Sequence, residues 1–514
     1  MTLDALKASE STSPTWARWA AEPRVALLLY ALWLLCTLGW RPLLLPDEGR
    51  YASVAREMLL GDAWTPTLNG LPYFHKPPLM YWLDMAAMQI FGVTAFAARF
   101  APFVGAWLMG AALYLHLRRH QGARVAAITL AVLATCPGLF VGAQYANHDM
   151  LVAGLITAAV LCAVRAFEDH QRFAKHWLLA SWAACGLAVL AKGLIGFVLP
   201  GLVVLPWLLV QRRWRHALGL LWPPGLLLFA LIAAPWFVLM QQRFPEFLDY
   251  FFVEQHFRRF AQSNFNNVHG AWFYWAVLPL LVLPWVTWLP TLVKRWRTAE
   301  VPSPYAGFYL WWVFAVAGFF SLPSSKLVGY VLPALAPLVM LLAWAITKGR
   351  AWRWVLPMAA LACVAFVGVL AVKAPKSNRD VALDLAARVQ PGHRVVFIDE
   401  AFFDIPFYAQ LSAPPVVLSR WRDPTATQRD DWRKELFDAA RFDPAMAARV
   451  LVPEQDTLAL LCAPGVTWFV GGARFRTAQG ESASSPLAAL QTVFEGRNAL
   501  LMQWPDTARA RWCP

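Results

Sequence analysis

Charge is scarce in this sequence. Asp, Glu, Lys and Arg make up 15% of its 514 residues, against roughly 25% in soluble domains, and a chain of this length so poor in charge does not read as a soluble protein. Its seven cysteines include no Cys-x-x-Cys pair and no metal-ligand spacing, so neither a zinc module nor a dithiol redox motif is indicated. There is no Walker-type glycine loop, and with it no sign of a nucleotide or redox cofactor. No internal repeat and no low-complexity tract occurs. The first apolar run, 25–45, is not followed by a small-x-small cleavage site, and it is too long for a signal peptide, so it reads as an uncleaved span.

What the chain has instead is apolar length: 59% of its residues are hydrophobic and 28 are tryptophan. Runs of about 18 or more apolar residues, each enough to cross a hydrocarbon core, recur from residue 25 to 372. Eleven spans are expected, near 25–43, 96–116, 124–143, 149–165, 177–191, 194–211, 219–240, 271–292, 305–322, 327–347 and 352–372, with room for one or two further broken or re-entrant helices. The net charge of +14 does not point to nucleic acid, because the basic residues cluster in short loops. Arg118, Arg119 and Arg124 form one cluster; Arg165, Arg172 and Lys175 the next; then Arg212, Arg213 and Arg215; Lys294, Arg295 and Arg297; and Lys348, Arg350 and Arg353. A single topology puts all five in the cytoplasm with the N-terminus, and an odd number of spans leaves the C-terminus outside.

Three regions follow. Residues 1–23 are a polar cytoplasmic segment. Residues 24–372 form the transmembrane domain, with two long outer loops at 44–95 and 241–270. From 373 to 514 charged residues return, and short apolar strands at Val395–Asp399, Val416–Ser419, Val450–Pro453 and Val466–Val470 alternate with helical patterns such as Val381–Val389. That pattern predicts a soluble α/β domain with its own core. Cys462 and Cys513 both fall there, and spacing alone leaves open whether they pair.

The distinctive polar groups gather on the outer side. Pro46-Asp47-Glu48-Gly49-Arg50-Tyr51 opens a helix whose apolar spacing suits a membrane-surface position. Asp47 serves there either as a helix-start acid paired to Arg50 or as a site carboxylate beside a phosphate-binding arginine. Tyr73-Phe74-His75-Lys76-Pro77-Pro78 holds Lys76 just before a helix start, where an anion would be favoured; reaching toward lipid headgroups is the plainer role. Asp149, in Asn147-His148-Asp149, reads as an N-cap that is also free to face a site. Lys192 interrupts an apolar stretch at a tight outer turn, and an ionisable group at membrane depth is a functional candidate. Glu254, His256, Arg258 and Arg259 alternate with aromatics in the second loop; Lys326 and Tyr330 lie at the outer end of the tenth span. His75 and His256 are candidate ligands for a divalent cation. Several cations with two carboxylates on one side is what handling a membrane-embedded phosphate would require.

These segments, with His148-Asp149-Met150, Leu190-Ala191-Lys192-Gly193 and Ser321-Leu322-Pro323-Ser324-Ser325-Lys326-Leu327, resemble the bacterial polytopic glycosyltransferases typified by the lipid A aminoarabinose transferase, relatives of the protein O-mannosyltransferases. The resemblance spans essentially the whole chain. It implies a GT-C fold, meaning an α-helical polytopic membrane protein of about 11–13 transmembrane helices, with a C-terminal periplasmic α/β domain. It implies inverting transfer of a sugar from polyprenyl (undecaprenyl) phosphate at the outer face of a bacterial inner membrane. Lipid A is the first acceptor and 4-amino-4-deoxy-L-arabinose or a related sugar the substituent, with another envelope glycan or a protein as the alternative acceptor. Carried over by motif, Asp47 is the leading catalytic carboxylate, with Glu48 beside it and Asp149 a second acid. Arg50, Tyr51, Lys76, Lys192, Arg258, Arg259, Lys326 and Tyr330 would bind the donor phosphate. One departure stands out: where the lipid A enzyme has Glu before its Lys-Pro-Pro, this chain has His75, which changes the charge offered to any metal. A transporter for lipid-linked sugars would instead place its polar groups at the midplane, in paired broken helices, and a structural subunit would leave the outer acid-and-base set unexplained.

Overall fold

The computed structural model describes residues 22–168, 173–258, 267–298, 305–428, 431–472, 475 and 485–513. The chain divides into two compact units, one made of residues 1–38, 101–238 and 267–367, the other of 39–100, 239–266 and 368–514. This division departs from the expected boundary at 372/373. Residues 39–100 and 239–266, which include the two long loops, belong with the C-terminal region rather than with the other helices.

In the first unit every one of the eleven expected apolar segments falls on helix. Five helices are long and apolar enough to cross a membrane: Ala97–Gln121, His148–Ala166, Pro223–Arg243, Val328–Ile346 and Trp352–Lys373. Two helix pairs are long and apolar enough only when taken together, and both are bent, as in a broken span or a re-entrant loop: Ala123–Ala134 with Pro137–Ala143 at 67°, and Phe273–Leu281 with Trp285–Arg297 at 101°. Proline accounts for the breaks, since Pro137 and Pro284 each remove a backbone donor at the bend. Pro23–Leu35, Ile195–Val210 and Ala306–Ser321 are shorter apolar helices, and Lys175–Lys192 carries a lysine at each end. The helices starting at Phe100 and His148 cross at backbone contact. A Cβ on Gly154 would lie 1.9 Å from the carbonyl oxygen of Gly105. Without a hydrophobic drive between helices in lipid, such small-residue contacts supply the packing.

The second unit contains a six-stranded sheet. Its strands are β1 (Arg394–Ile398), β2 (Val416–Ser419), β3 (Leu451–Pro453), β4 (Thr467–Gly472), β5 (Gln491–Glu495) and β6 (Ala499–Gln503), in the order β3-β2-β1-β4-β6-β5. The first four run parallel, and β6 pairs antiparallel with β4 and β5. Strands β1, β2 and β4 are buried along almost their whole length, as strands covered on both faces must be. Val396, Ile398, Leu418, Phe469 and Met502 share one core. Cys462 and Cys513 do pair, with Cα atoms 5.4 Å apart, which pins the Asp506–Trp512 helix.

The Asp47–Leu60 helix, expected to be amphipathic with one free apolar face, is instead enclosed by protein. Most of its residues are buried, because the C-terminal region covers it: Ser53 Oγ donates to the Phe403 carbonyl (2.6 Å) and Arg56 to that of Leu411 (2.7 Å). Gly49 is required by this approach, since a Cβ there would sit 2.9 Å from the Asp404 backbone nitrogen. Glu48 is wholly buried and shared by two guanidiniums. Arg99 Nε donates at 2.8 Å and Arg41 Nη2 at 3.1 Å to Oε1, Arg41 Nη1 is bound to Oε2, and the Leu44 amide adds a bond at 2.9 Å. Burial pushes its carboxyl up, but Arg99 and Arg41 outweigh burial and hold it at about 2. Glu48 is thus a buried counter-ion that fixes the first turn, and the catalytic part expected of it is corrected. Farther along, Glu57 accepts the amides of Asn69 and Gly70 (2.8 and 3.0 Å). Both turn residues have positive φ, 56° and 76°, in the hairpin of Thr67–Leu68 with Leu71–Pro72.

Three outcomes follow. Glu48→Gln leaves two buried guanidiniums short of a counter-charge and should cost about 3–5 kcal/mol, read as thermal unfolding in detergent; an unchanged midpoint would refute the assignment. The native stabilisation by Glu48 is full above the ordinary carboxylate pKa of about 4.3 and is lost as pH falls toward 2. Asp404 runs the other way. Burial raises it to about 6 despite bonds from the Asn378 amide and side chain, so its contribution is full below about 4 and lost as pH rises through 6. Asp404→Asn should flatten the stability profile between those values, and a profile identical to wild type would contradict this.

Candidate active site

The first unit brings three of the expected residues together. The His148–Ala166 helix is capped by Asn147, whose side chain accepts the Asp149 amide at 2.9 Å. Asp149 is therefore not the cap; it sits in the first turn. One oxygen is ion-paired to the Lys192 ammonium and the other accepts from Asn147 Nδ2 at 3.2 Å. Lys192 ends its helix, where the dipole favours a cation, and Gly193 turns the chain at φ 96°. The ammonium lies 4.2 Å from the centre of the Tyr330 ring. Asp149 and Lys192 are each only 10% exposed, so the pair attracts strongly and leaves little room for water. Gly329 makes the space: a Cβ there would be 1.9 Å from Asp149 Oδ2.

Lys326 does not join this group. Its ammonium donates to the carbonyls of His269 (2.9 Å) and Pro323, tying two interhelical links together. At 3% exposure it is held by the chain's own carbonyls.

The second unit assembles another constellation around Arg50. Its guanidinium is bound to Asp47 (2.5 Å), stands over the Tyr51 ring, and is ion-paired to Glu435. Burial opposes the charge, but Glu435 first, with Tyr73, Tyr51 and Asp47, raises the pKa of Arg50 well above its usual value. Asp47 keeps a third of its side chain exposed and is the accessible carboxylate here. The Tyr73 hydroxyl, Arg50 Nε and Glu435 Oε2 are buried without a hydrogen-bond partner among the described residues, leaving polar capacity that a polar ligand would satisfy. Glu435 was not anticipated. It is 385 residues from Arg50, in an ordinary amphipathic helix, Trp432–Ala440, and no local signal marks it. Lys76 precedes the Leu79–Phe91 helix and donates to the His75 carbonyl at 2.9 Å.

His75 stacks on Tyr73 with centroids 4.5 Å apart. The side chains of His256 and Arg258, and all of Arg259, lie outside the described residues, as does the expected N-terminal segment through residue 21. Among the described residues no group of three or more His, Cys, Asp or Glu is placed to hold a metal; His75 alone offers one ligand, and no chemical step is assigned to a cation. Glu254 is clasped by Arg441 at 2.7 Å, and Arg441 also covers the Tyr250 ring, fastening the Asp249–Arg258 segment to the C-terminal region.

Comparison with known proteins places these segments in a family. Residues 29–251 match the PMT model, described as dolichyl-phosphate-mannose-protein mannosyltransferase. A protein of Erwinia tasmaniensis named undecaprenyl phosphate-alpha-4-amino-4-deoxy-L-arabinose arabinosyl transferase is 36% identical over 321 residues, 62% of this chain and 58% of its own length. One of the same name from Aeromonas salmonicida is 34% identical over 360 residues, 67% of this chain and 65% of its own. The chain thus spans about three fifths of the length of the curated relatives it matches. The crystal structure of ArnT from Cupriavidus metallidurans bound to undecaprenyl phosphate superposes with a TM-score of 0.79 at 24% identity, over 94% of this chain and 98% of that one. The chain is thus ArnT-like: residues 29–251 match the PMT model, and nearly the whole chain takes the GT-C fold of ArnT, with the apolar helices of a multi-pass membrane protein.

Proposed function

We propose that this protein is an inverting glycosyltransferase that moves a sugar from polyprenyl (undecaprenyl) phosphate to lipid A, the sugar being 4-amino-4-deoxy-L-arabinose or a related one. The observation that carries the reading is that motif segments in both units end in a carboxylate paired to a cation, Asp47 with Arg50 and Asp149 with Lys192. The names of the relatives from Erwinia and Aeromonas support the donor and the sugar, and the undecaprenyl phosphate bound in the Cupriavidus structure supports the carrier. The work belongs to the outer face of a bacterial inner membrane. The five basic clusters favour a cytoplasmic N-terminus, and the Cys462–Cys513 bond suits an oxidising compartment for the C-terminal region.

In this mechanism the bond between the anomeric carbon and the phosphate oxygen breaks, and the electron pair leaves with the polyprenyl phosphate. Each unit offers cations suited to such charge, Lys192 in the first and Arg50 with Lys76 in the second, and Asp149 and Asp47 already hold Lys192 and Arg50 in place, so that little reorganisation is needed. The acceptor oxygen attacks the opposite face. A lipid A phosphate arrives as an anion, and Asp47 then positions it; a sugar or protein hydroxyl would give its proton to Asp47.

Mass spectrometry of lipid A from cells with and without the protein tests this. A sugar-sized increment should appear with wild type and vanish with Asp47→Ala or Lys192→Ala, each lowering transfer by about a hundredfold or more. Lipid A unchanged by the wild-type protein would exclude it as the acceptor. Gly329→Ala should lower transfer at least roughly tenfold while thermal unfolding stays near wild type, because its methyl group would displace Asp149; full activity would show that the Asp149–Lys192 placement is dispensable.

A further inference from the structure

The segment after the sharpest bend in the helical unit has a different design from the spans. Trp285–Arg297 turns 101° away from Phe273–Leu281. Its last turn carries Lys294, Arg295 and Arg297. Its three faces have three chemistries. Trp285 and Leu292 are buried, and Arg295 reaches inward to the Trp344 carbonyl at 2.9 Å. With the Trp285 Nε1 bond to Thr135 (3.1 Å), they fasten the segment to the unit. Leu289, Val293 and Trp296, at i, i+4 and i+7, are exposed apolar side chains. Pro290, Lys294 and Arg297, again at i, i+4 and i+7, form the third face, and are exposed as well. Leu289, Pro290, Val293, Lys294, Arg297 and Thr298 line a groove of about 490 Å³. Among its described lining there is no carboxylate to neutralise the two cations.

We infer that this groove is a binding site for an anionic phospholipid, whose headgroup phosphate is held between Lys294 and Arg297 and whose acyl chain lies along Leu289 and Val293. The mixed lining selects the ligand class. A free anion has no use for the apolar wall, and a neutral lipid leaves two cations unmatched at the interface, where each basic side chain adds attraction to anionic headgroups. The long stems of Lys294 and Arg297 cover apolar surface while their charged ends reach the phosphate. In the topology proposed above, this face meets the cytoplasmic leaflet, whose anionic lipids carry the matching charge. The site is separate from the transfer chemistry, because none of its residues belongs to either carboxylate–cation constellation.

The test is native mass spectrometry of the purified full-length protein in neutral detergent, titrated with dioleoylphosphatidylglycerol or dioleoylphosphatidylcholine. Wild type should hold phosphatidylglycerol roughly tenfold or more tighter than the Lys294→Gln/Arg297→Gln variant, with no difference for phosphatidylcholine. Leu289→Ser/Val293→Ser should also weaken phosphatidylglycerol, and Lys294→Arg should keep it. All four positions are exposed, so folding is checked by an unchanged circular dichroism spectrum. Equal retention of phosphatidylglycerol by wild type and the double charge variant would overturn the proposal. Inorganic phosphate in excess should not displace the lipid. If it does, and the serine variant binds as wild type, the groove is a simple anion site and the lipid assignment fails.

Discussion

The buried carboxylate of Glu48 is the interaction on which the motif turn of the second unit depends. Two guanidiniums and a backbone amide converge on it from Arg41, Arg99 and Leu44, so the first turn of the Asp47–Leu60 helix cannot rotate without uncovering a charge. Asp47 and Arg50 stand on that same turn. An ion cluster of this kind is no large gain over an apolar core, but breaking it is costly, and what it supplies here is direction. It holds one acid inside the protein and leaves its neighbour Asp47 partly exposed.

The same logic recurs in the helical unit with different parts. Hydrocarbon tolerates charge only where it is paired or near a helix end. Lys192 and Asp149 satisfy both conditions: one closes its helix, the other opens the preceding helix packed beside it, and each neutralises the other. The pair fits only because position 329 has no side chain. Glycine matters at 49 for a related reason, since the Asp404 backbone occupies the space a side chain would need. In both motifs the conspicuous charged residues are held by an inconspicuous small one.

The adjacent acids Asp47 and Glu48 show how far local reading reaches. Both look available from their position at a helix start, and only one is. The strands β1 to β4 are legible because apolar runs bounded by polar residues declare themselves locally, whereas β5, half exposed along its length, and β6 were not expected. Asn69-Gly70 is a hairpin signal, yet so short a ladder leaves little periodicity around it to mark the strands.

Hydropathy is a sum over neighbouring residues, so the sequence by itself determined where the eleven apolar helical segments lie, which loops carry the polar groups and which motifs tie the chain to its family. Asn147 rather than Asp149 as the cap, Lys326 as a backbone tie, and the burial of the motif helix came only with the tertiary structure. So did Glu435, which reaches Arg50 across 385 residues. A side chain's part in the chemistry is decided by which groups meet it in space, and pairs that distant share no local pattern from which the meeting could be read.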